Sequence, residues 1–280
     1  MRQQSRCMLD RVSAGRWWNI GKLGCALAVL VSVGTAQAGS LIVSGDSTPV
    51  FYLTNALPNA ASPGNQRFFT NILGSGDQVA VLRTTINPGT ENEVDALYDS
   101  LPGVTATVLS GTLSSAALQN VDLLVVPLPD HTFATAEIAA IEALLAGGGS
   151  LFLMGETGTH PTLLASNAAL NDLLSALGSG LALVNSSLDP GNQVATGGRI
   201  AAHALTAGVT SYSYGSTSVI TGGDPLFFAS NGAPMAAFED LTPSGAAVPE
   251  PATLALCGAG LAIVGCVRLR QRRRGTPTAL

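Results

Sequence analysis

Two rhythms of apolar and polar positions alternate through the middle of the chain. Leu41-Ile42-Val43 reads as a short buried strand ending at Gly45-Asp46. Ser62-Pro63 then opens a helix that carries Phe68, Phe69, Ile72 and Leu73 and stops at Gly74, since proline suits a first helical turn. Residues 79–82 form a second strand. Thr90-Glu91-Asn92-Glu93 has capping-box spacing ahead of Val94, Leu97, Tyr98 and Leu101. Residues 105–109 give a third strand, and a short helix is expected near 114–119. Residues 121–126 are almost wholly apolar, as in a strand covered on both faces. Thr135 is the expected cap of the next helix, whose stripe is Ile138, Ile141, Leu144 and Leu145, ended by Gly147-Gly148-Gly149. A strand at 150–154, a helix at 167–177 and a strand at 181–184 follow. Beyond Ser187, short apolar segments at 218–220, 226–228 and 234–238 predict a β-rich completion of the same domain.

Strands alternating with helices predict an α/β fold, a flavodoxin-like doubly wound and mainly parallel sheet with that β-rich C-terminal part. About 200 residues suit one domain. The expected organisation is a signal peptide at 1–38, an exported α/β domain at 39–243 and a C-terminal signal at 244–280 with a membrane helix at 252–267.

Charge changes the picture at both ends. Charged residues make up only 11% of the 280 residues. Ten of the 13 basic residues lie before residue 23 or after residue 267. The stretch 39–247 holds three arginines against sixteen acidic residues, a net charge of −13, and has no lysine, cysteine or tryptophan. So anionic a body repels phosphate backbones, and no nucleic-acid partner is expected. Without cysteine, an oxidising compartment adds no disulfide to it.

At the amino end, a basic region to Lys22 precedes an apolar run at 23–34 and then Ala36-Gln37-Ala38. Ala36 and Ala38 give the small-x-small pattern of a signal-peptidase site. The run is short for a membrane span. No Arg-Arg pair precedes it, which favours Sec export. Met8 is an alternative start to Met1.

At the carboxyl end, Val248-Pro249-Glu250-Pro251 leads into the charge-free segment 252–267, closed by Arg268-Leu269-Arg270-Gln271-Arg272-Arg273-Arg274. The arginines keep that end cytoplasmic and leave the body outside the inner membrane. The tail resembles the PEP-CTERM sorting signal of Gram-negative bacteria. The matching parts are Pro249-Glu250-Pro251, the apolar segment and the arginines, with Arg268 and Arg270 first among them. The resemblance implies recognition and removal of the tail by an exosortase. It also implies transient residence in the inner membrane, with the body in the periplasm, and delivery to the cell surface or an extracellular polysaccharide matrix. The partners implied are signal peptidase, exosortase and surface polysaccharide. No cofactor is expected.

The body is also similar to a divergent class I glutamine amidotransferase-like domain. The likeness lies in Val121-Asp122-Leu123-Leu124-Val125-Val126, the helix after it and residues 147–156, and loosely in residues 203–209. Such domains carry a cysteine nucleophile on a Gly-x-Cys-x-Gly elbow. Here the stretch is Gly155-Glu156-Thr157-Gly158-Thr159-His160, so thiolate chemistry is excluded.

Ligands of doubly wound sheets bind outside the carboxyl ends of the strands. That rim is expected to carry Asp46, Ser47 and Thr48, then Asp130 and His131, then Glu156, Thr157 and His160. These residues suit a hard cation or acid–base work, and they are equally ordinary turn formers and caps. No catalytic set and no metal site is assigned; Glu156, Thr157 and His160 are the weak catalytic candidates, and Asp46, Ser47, Asp130 and His131 the binding-cleft candidates. His203 reads as structural, and Asp189-Pro190-Gly191-Asn192 as a turn. Tyr212 and Tyr214 offer either stacking surfaces for sugar or an ordinary strand. The expected role is non-catalytic binding or matrix structure, with a divergent hydrolase or metal-dependent enzyme as the alternative.

Overall fold

The computed structural model describes residues 39–54, 61–158 and 160–241. The signal-peptide residues Ala36 and Ala38, the sorting residues Val248, Pro249, Glu250, Pro251, Arg268 and Arg270, and the expected helix at 252–267 lie outside them. Among the described residues no helix is long and apolar enough to cross a membrane.

Five strands are parallel: β1 (Gly39–Ser44), β2 (Gln78–Leu82), β3 (Thr105–Leu109), β4 (Leu123–Pro127) and β5 (Ser150–Met154). Among the C-terminal strands β6 (Ala182–Leu188), β7 (Gln193–Thr196), β8 (Ser211–Tyr214), β9 (Thr217–Thr221), β10 (Asp224–Phe228) and β11 (Pro234–Leu241), β11 runs antiparallel to β1 and β10 antiparallel to β11. The seven-stranded order is β10-β11-β1-β5-β4-β2-β3, while β6 pairs with β9 and β7 with β8 in two small ribbons. Gly39 lies opposite Leu241, so the described body begins and ends at one sheet edge, away from the strand-carboxyl rim.

The parallel α/β architecture and β-rich completion agree with the sequence pattern, but the strand order does not follow flavodoxin. There the first strand lies between the second and third; here β1 lies beside β5, across the sheet from β2. Burial on both faces told which segments are central strands, not which are neighbours.

Alternate residues of the central strands feed two cores. Ile42, Val79, Val81, Val125 and Phe152 join the core under α1 (Pro63–Leu73) and α2 (Thr90–Asp99). Leu41, Val43, Leu124, Val126, Leu151 and Leu153 join the core under α3 (Thr135–Ala146) and α4 (Pro161–Ala176). β8 adds Tyr212 and Tyr214 to the first core, and β9 adds Ile220 to the second.

Several local expectations need correction. Gly89, not Thr90, holds the cap position of α2, where its N–H donates to the Glu91 carboxylate while the Thr90 hydroxyl turns back to the Asn87 carbonyl. Thr135 is the first residue of α3, not its cap; the Glu137 carboxylate accepts the Ala134 N–H instead. Residues 114–119 form only a turn held by the Ser114 carbonyl. The helix expected at 167–177 begins six residues earlier, because Pro161 starts it and His160 caps it. Tyr212 and Tyr214 point into the core, so they are not available for stacking on sugar.

Phe68 is the hub of the first core. Its ring meets Phe69, Phe152, Tyr212 and Phe227 edge-on, at centroid distances of 6.1, 6.1, 5.5 and 4.8 Å. Tyr212 and Phe227 stack on each other at 3.9 Å. Phe68→Ala is expected to cost about 3–5 kcal/mol of unfolding free energy, read as a lower urea midpoint. A loss below about 1 kcal/mol would contradict this assignment.

Candidate functional site

The carboxyl rim of the sheet has two crevices. Each lies between neighbouring strands whose following helices leave toward opposite faces: β1 (to α1) beside β5 (to α4), and β2 (to α2) beside β4 (to α3). The second is the switch point where ligands of open α/β sheets collect. Asp46 and Glu156 sit at the first crevice, Asp130 and His131 at the second.

The first crevice is closed. Asp46 is 1% exposed and Ser47 is 0% exposed. The Asp46 carboxyl accepts the Thr48 N–H at 2.8 Å and the Gly215 N–H at 2.5 Å. Glu156 accepts the Ser47 hydroxyl at 2.9 Å and the Thr157 N–H at 3.0 Å. The Glu156 carbonyl accepts the Ser218 hydroxyl and an Asn167 amide N–H, both at 2.8 Å. The turn between β8 and β9 thus caps the ends of β1 and β5. A glycine is required at position 45, where any Cβ would collide with the Ser218 carbonyl oxygen.

Electrostatics follow from that closure. Burial, then the Glu156 charge, pushes Asp46 up to about 8. Burial also raises Glu156. The two carboxyls titrate as a pair, and the pair keeps a proton near neutral pH. Tyr52 and Tyr212 face it; burial first and the Asp46 charge second raise both phenols.

Thr157 and His160 do not assemble with these groups into a nucleophile and base. The Thr157 hydroxyl donates to the Ser186 carbonyl at 3.2 Å, and His160 Nδ1 accepts the Thr162 N–H at 3.3 Å as the cap of α4. Thr159 lies outside the described residues. Among the described residues no group of three or more His, Cys, Asp or Glu side chains could hold a metal ion.

The second crevice is open, a cleft of about 270 Å³ lined by Arg83, Thr85, Gly111, Thr112, Asp130 and His131. Asp130 accepts the Thr85 hydroxyl at 2.6 Å and the Thr85 N–H at 3.1 Å, and meets His131 Nδ1 at 3.0 Å. Those hydrogen bonds, that of His131 foremost, lower Asp130, and the Asp130 bond raises His131. Behind them Glu137 accepts the Leu113 and Ala134 N–H groups, each at 2.9 Å, and lies 3.5 Å from His131 Nε2. The loops after β2, β3 and β4 are therefore tied into one wall. Leu128, just past β4, has φ +44°, a left-handed conformation costly for a leucine and of the kind that clusters at ligand sites.

Sequence reasoning placed Asp130 and His131 here but missed Arg83, Thr85, Gly111, Thr112 and Glu137. Arg83 directly follows the 79–82 strand and is one of only three arginines in the body. That position was the available signal. His203 caps a short 3-10 turn and packs on Phe238 at 4.8 Å. Asp189 accepts the Ser230 N–H at 2.7 Å and the Tyr214 hydroxyl at 2.5 Å. Both are structural in these surroundings.

The Asp46–Glu156 pair makes a signed prediction. Its folded-state values are raised, so the native chain binds more protons than the unfolded one. Its contribution is therefore greatest at low pH and falls as pH climbs toward about 8. Glu156→Gln removes the second charge. Asp46 stays buried in the variant and keeps the part of its shift that burial causes. The stability of wild type relative to this variant is therefore expected to fall, by up to about 1.4 kcal/mol per pH unit, only over the stretch below about pH 8 that the Glu156 charge adds, then level off. Urea titrations at a series of pH values measure it, and a flat difference would rule out the shared proton.

No curated protein matches this chain. Among solved structures, a chain described as the mmIFT52 N-terminal domain is similar over 56% of this chain and 81% of its own length, at 14% identity and a TM-score of 0.44. Neither comparison supports the amidotransferase-like resemblance. Residues 247–274 match the model of the PEP-CTERM protein-sorting motif. The chain therefore carries the PEP-CTERM signal for exosortase-dependent sorting to the cell envelope or surface of a Gram-negative bacterium.

Proposed function

We propose that this is a Sec-exported surface or matrix protein whose α/β body is a non-catalytic binding module, with its ligand in the switch-point cleft. Signal peptidase removes residues 1–38, the tail holds the chain briefly in the inner membrane, and exosortase removes the tail. The observation that carries the binding reading is how the rim groups are used. Asp46, Glu156, Thr157 and His160 spend their polar atoms holding loops together, while the cleft at Arg83, Thr112 and Asp130 stays open. The strain at Leu128 beside that cleft supports the same location.

The alternative of a divergent hydrolase or metal-dependent enzyme has the Asp46–Glu156 pair in its favour, because a carboxyl that keeps its proton near neutral pH has the form of a general acid. Asp46 is only 1% exposed, which favours the binding reading.

Two experiments test the proposal. Mass spectrometry of the protein exported by its native host is expected to find chains without residues 268–274. Replacing Pro249 and Pro251 by alanine should hold the tail-bearing form in the inner membrane, because the prolines keep the recognised segment extended and out of the helix. Unchanged processing would overturn the sorting part. Separately, Thr112→Trp should fill the cleft and abolish binding of the purified protein to washed surface material of its host, with its urea midpoint unchanged. Undiminished binding would overturn the cleft as the ligand site.

A further inference from the structure

We infer that the switch-point cleft takes a small hydroxylated carboxylate, such as a sugar acid, with the guanidinium of Arg83 gripping its carboxylate. The inference rests on the binding reading above and adds the chemistry of the ligand.

Arg83 is the available cation of the rim. Its side chain is 54% exposed, and its Nε lies 3.5 Å from Oε1 of Glu91, which is 6% exposed. That contact fixes the guanidinium through one nitrogen. Its two terminal nitrogens have no hydrogen-bond partner among the described residues. The other two arginines of the body are engaged: Arg67 donates to the Ala207 carbonyl, and Arg199 to the Tyr214 hydroxyl and the Val194 carbonyl. A planar guanidinium with a free edge matches the two oxygens of a carboxylate.

The remaining lining sets the rest of the ligand. Thr85 and Thr112 bring hydroxyl groups, and Asp130 brings a carboxylate with acceptor capacity beyond its present bonds. These suit hydroxyl groups on the ligand. No Phe, Tyr or Trp lines the cleft, and the one ring there, the His131 imidazole, is held against Asp130 and Glu137, so recognition rests on hydrogen bonds rather than on stacking. About 270 Å³ equals roughly nine waters at ~30 Å³ each, room for one sugar-sized molecule. Charge decides between anions. Glu91 and Asp130 lie about the guanidinium, and the other potential cation of the lining, His131, is already set between Asp130 and Glu137, all within a body of net −13. A monoanionic carboxylate is tolerated there better than a phosphate dianion.

The test is calorimetric titration of the purified exported protein with glucuronate, glucose and glucose 6-phosphate, with NMR shifts to locate the site. Glucuronate is expected to bind at least tenfold more tightly than either of the others, with shifts at Thr85, Gly111 and Thr112. Arg83→Gln should bring glucuronate down to the level of glucose while the circular dichroism spectrum stays unchanged. Equal binding of glucuronate and glucose, preference for the phosphate, or full glucuronate affinity in Arg83→Gln would each overturn the inference. If none of the three probes binds, the carboxylate assignment falls, whereas the cleft itself stands or falls with the Thr112→Trp result.

Discussion

The body is organised around one aromatic ring. Phe68 sits on α1 yet touches the central sheet through Phe152, the β7–β8 ribbon through Tyr212 and the sheet edge through Phe227. A helix of eleven residues is marginal by itself in water; burial of Phe68 and Phe69 anchors it. The same contacts hold the C-terminal strands over the sheet. Gly64 completes this constraint, since any Cβ there would strike the Ser211 carbonyl oxygen and push β8 off α1. With neither lysine nor cysteine in the body, such packing has no disulfide to assist it.

Docking of the C-terminal strands divides the rim. Where the β8–β9 turn reaches over β1 and β5, Gly215 and Ser218 satisfy the polar atoms of Asp46 and Glu156 and exclude water from them. Two carboxyls in so dry a place cannot both ionise cheaply, so closure and proton sharing are one event. Across β5, nothing among the described residues covers the ends of β2 and β4 in the same way, and the cleft there keeps an arginine and a carboxylate in reach of solvent. One rim thus supports a sealed polar lock and an open site, a few strands apart.

The sorting motif and the proposed binding cleft lie in separate parts of the chain. The sorting motif at 247–274 needs only its own short pattern, whereas the cleft needs loops from three distant strands. Gly39 pairs with Leu241 at the edge away from the rim.

The sequence alone determined what depends on local or contiguous residues. The tail was readable because Pro249-Glu250-Pro251, an apolar run and arginines follow one another directly. The strands around Ile42, Val81, Val125 and Phe152 and the start of α1 at Ser62-Pro63 were readable from periodicity and capping. Placing the rim loops of β1, β4 and β5 together followed from parallel strands alone. Caps one residue away, such as Gly89 for Thr90, depend on backbone angles that periodicity does not encode. Tertiary structure decided the rest. The position of β1 beside β5, the burial of Asp46 against Gly215, and the meeting of Arg83 with Thr112 and Asp130 all join residues 29 to 169 positions apart. No local pattern records such pairings, because they are set by which buried faces pack together once the chain has collapsed.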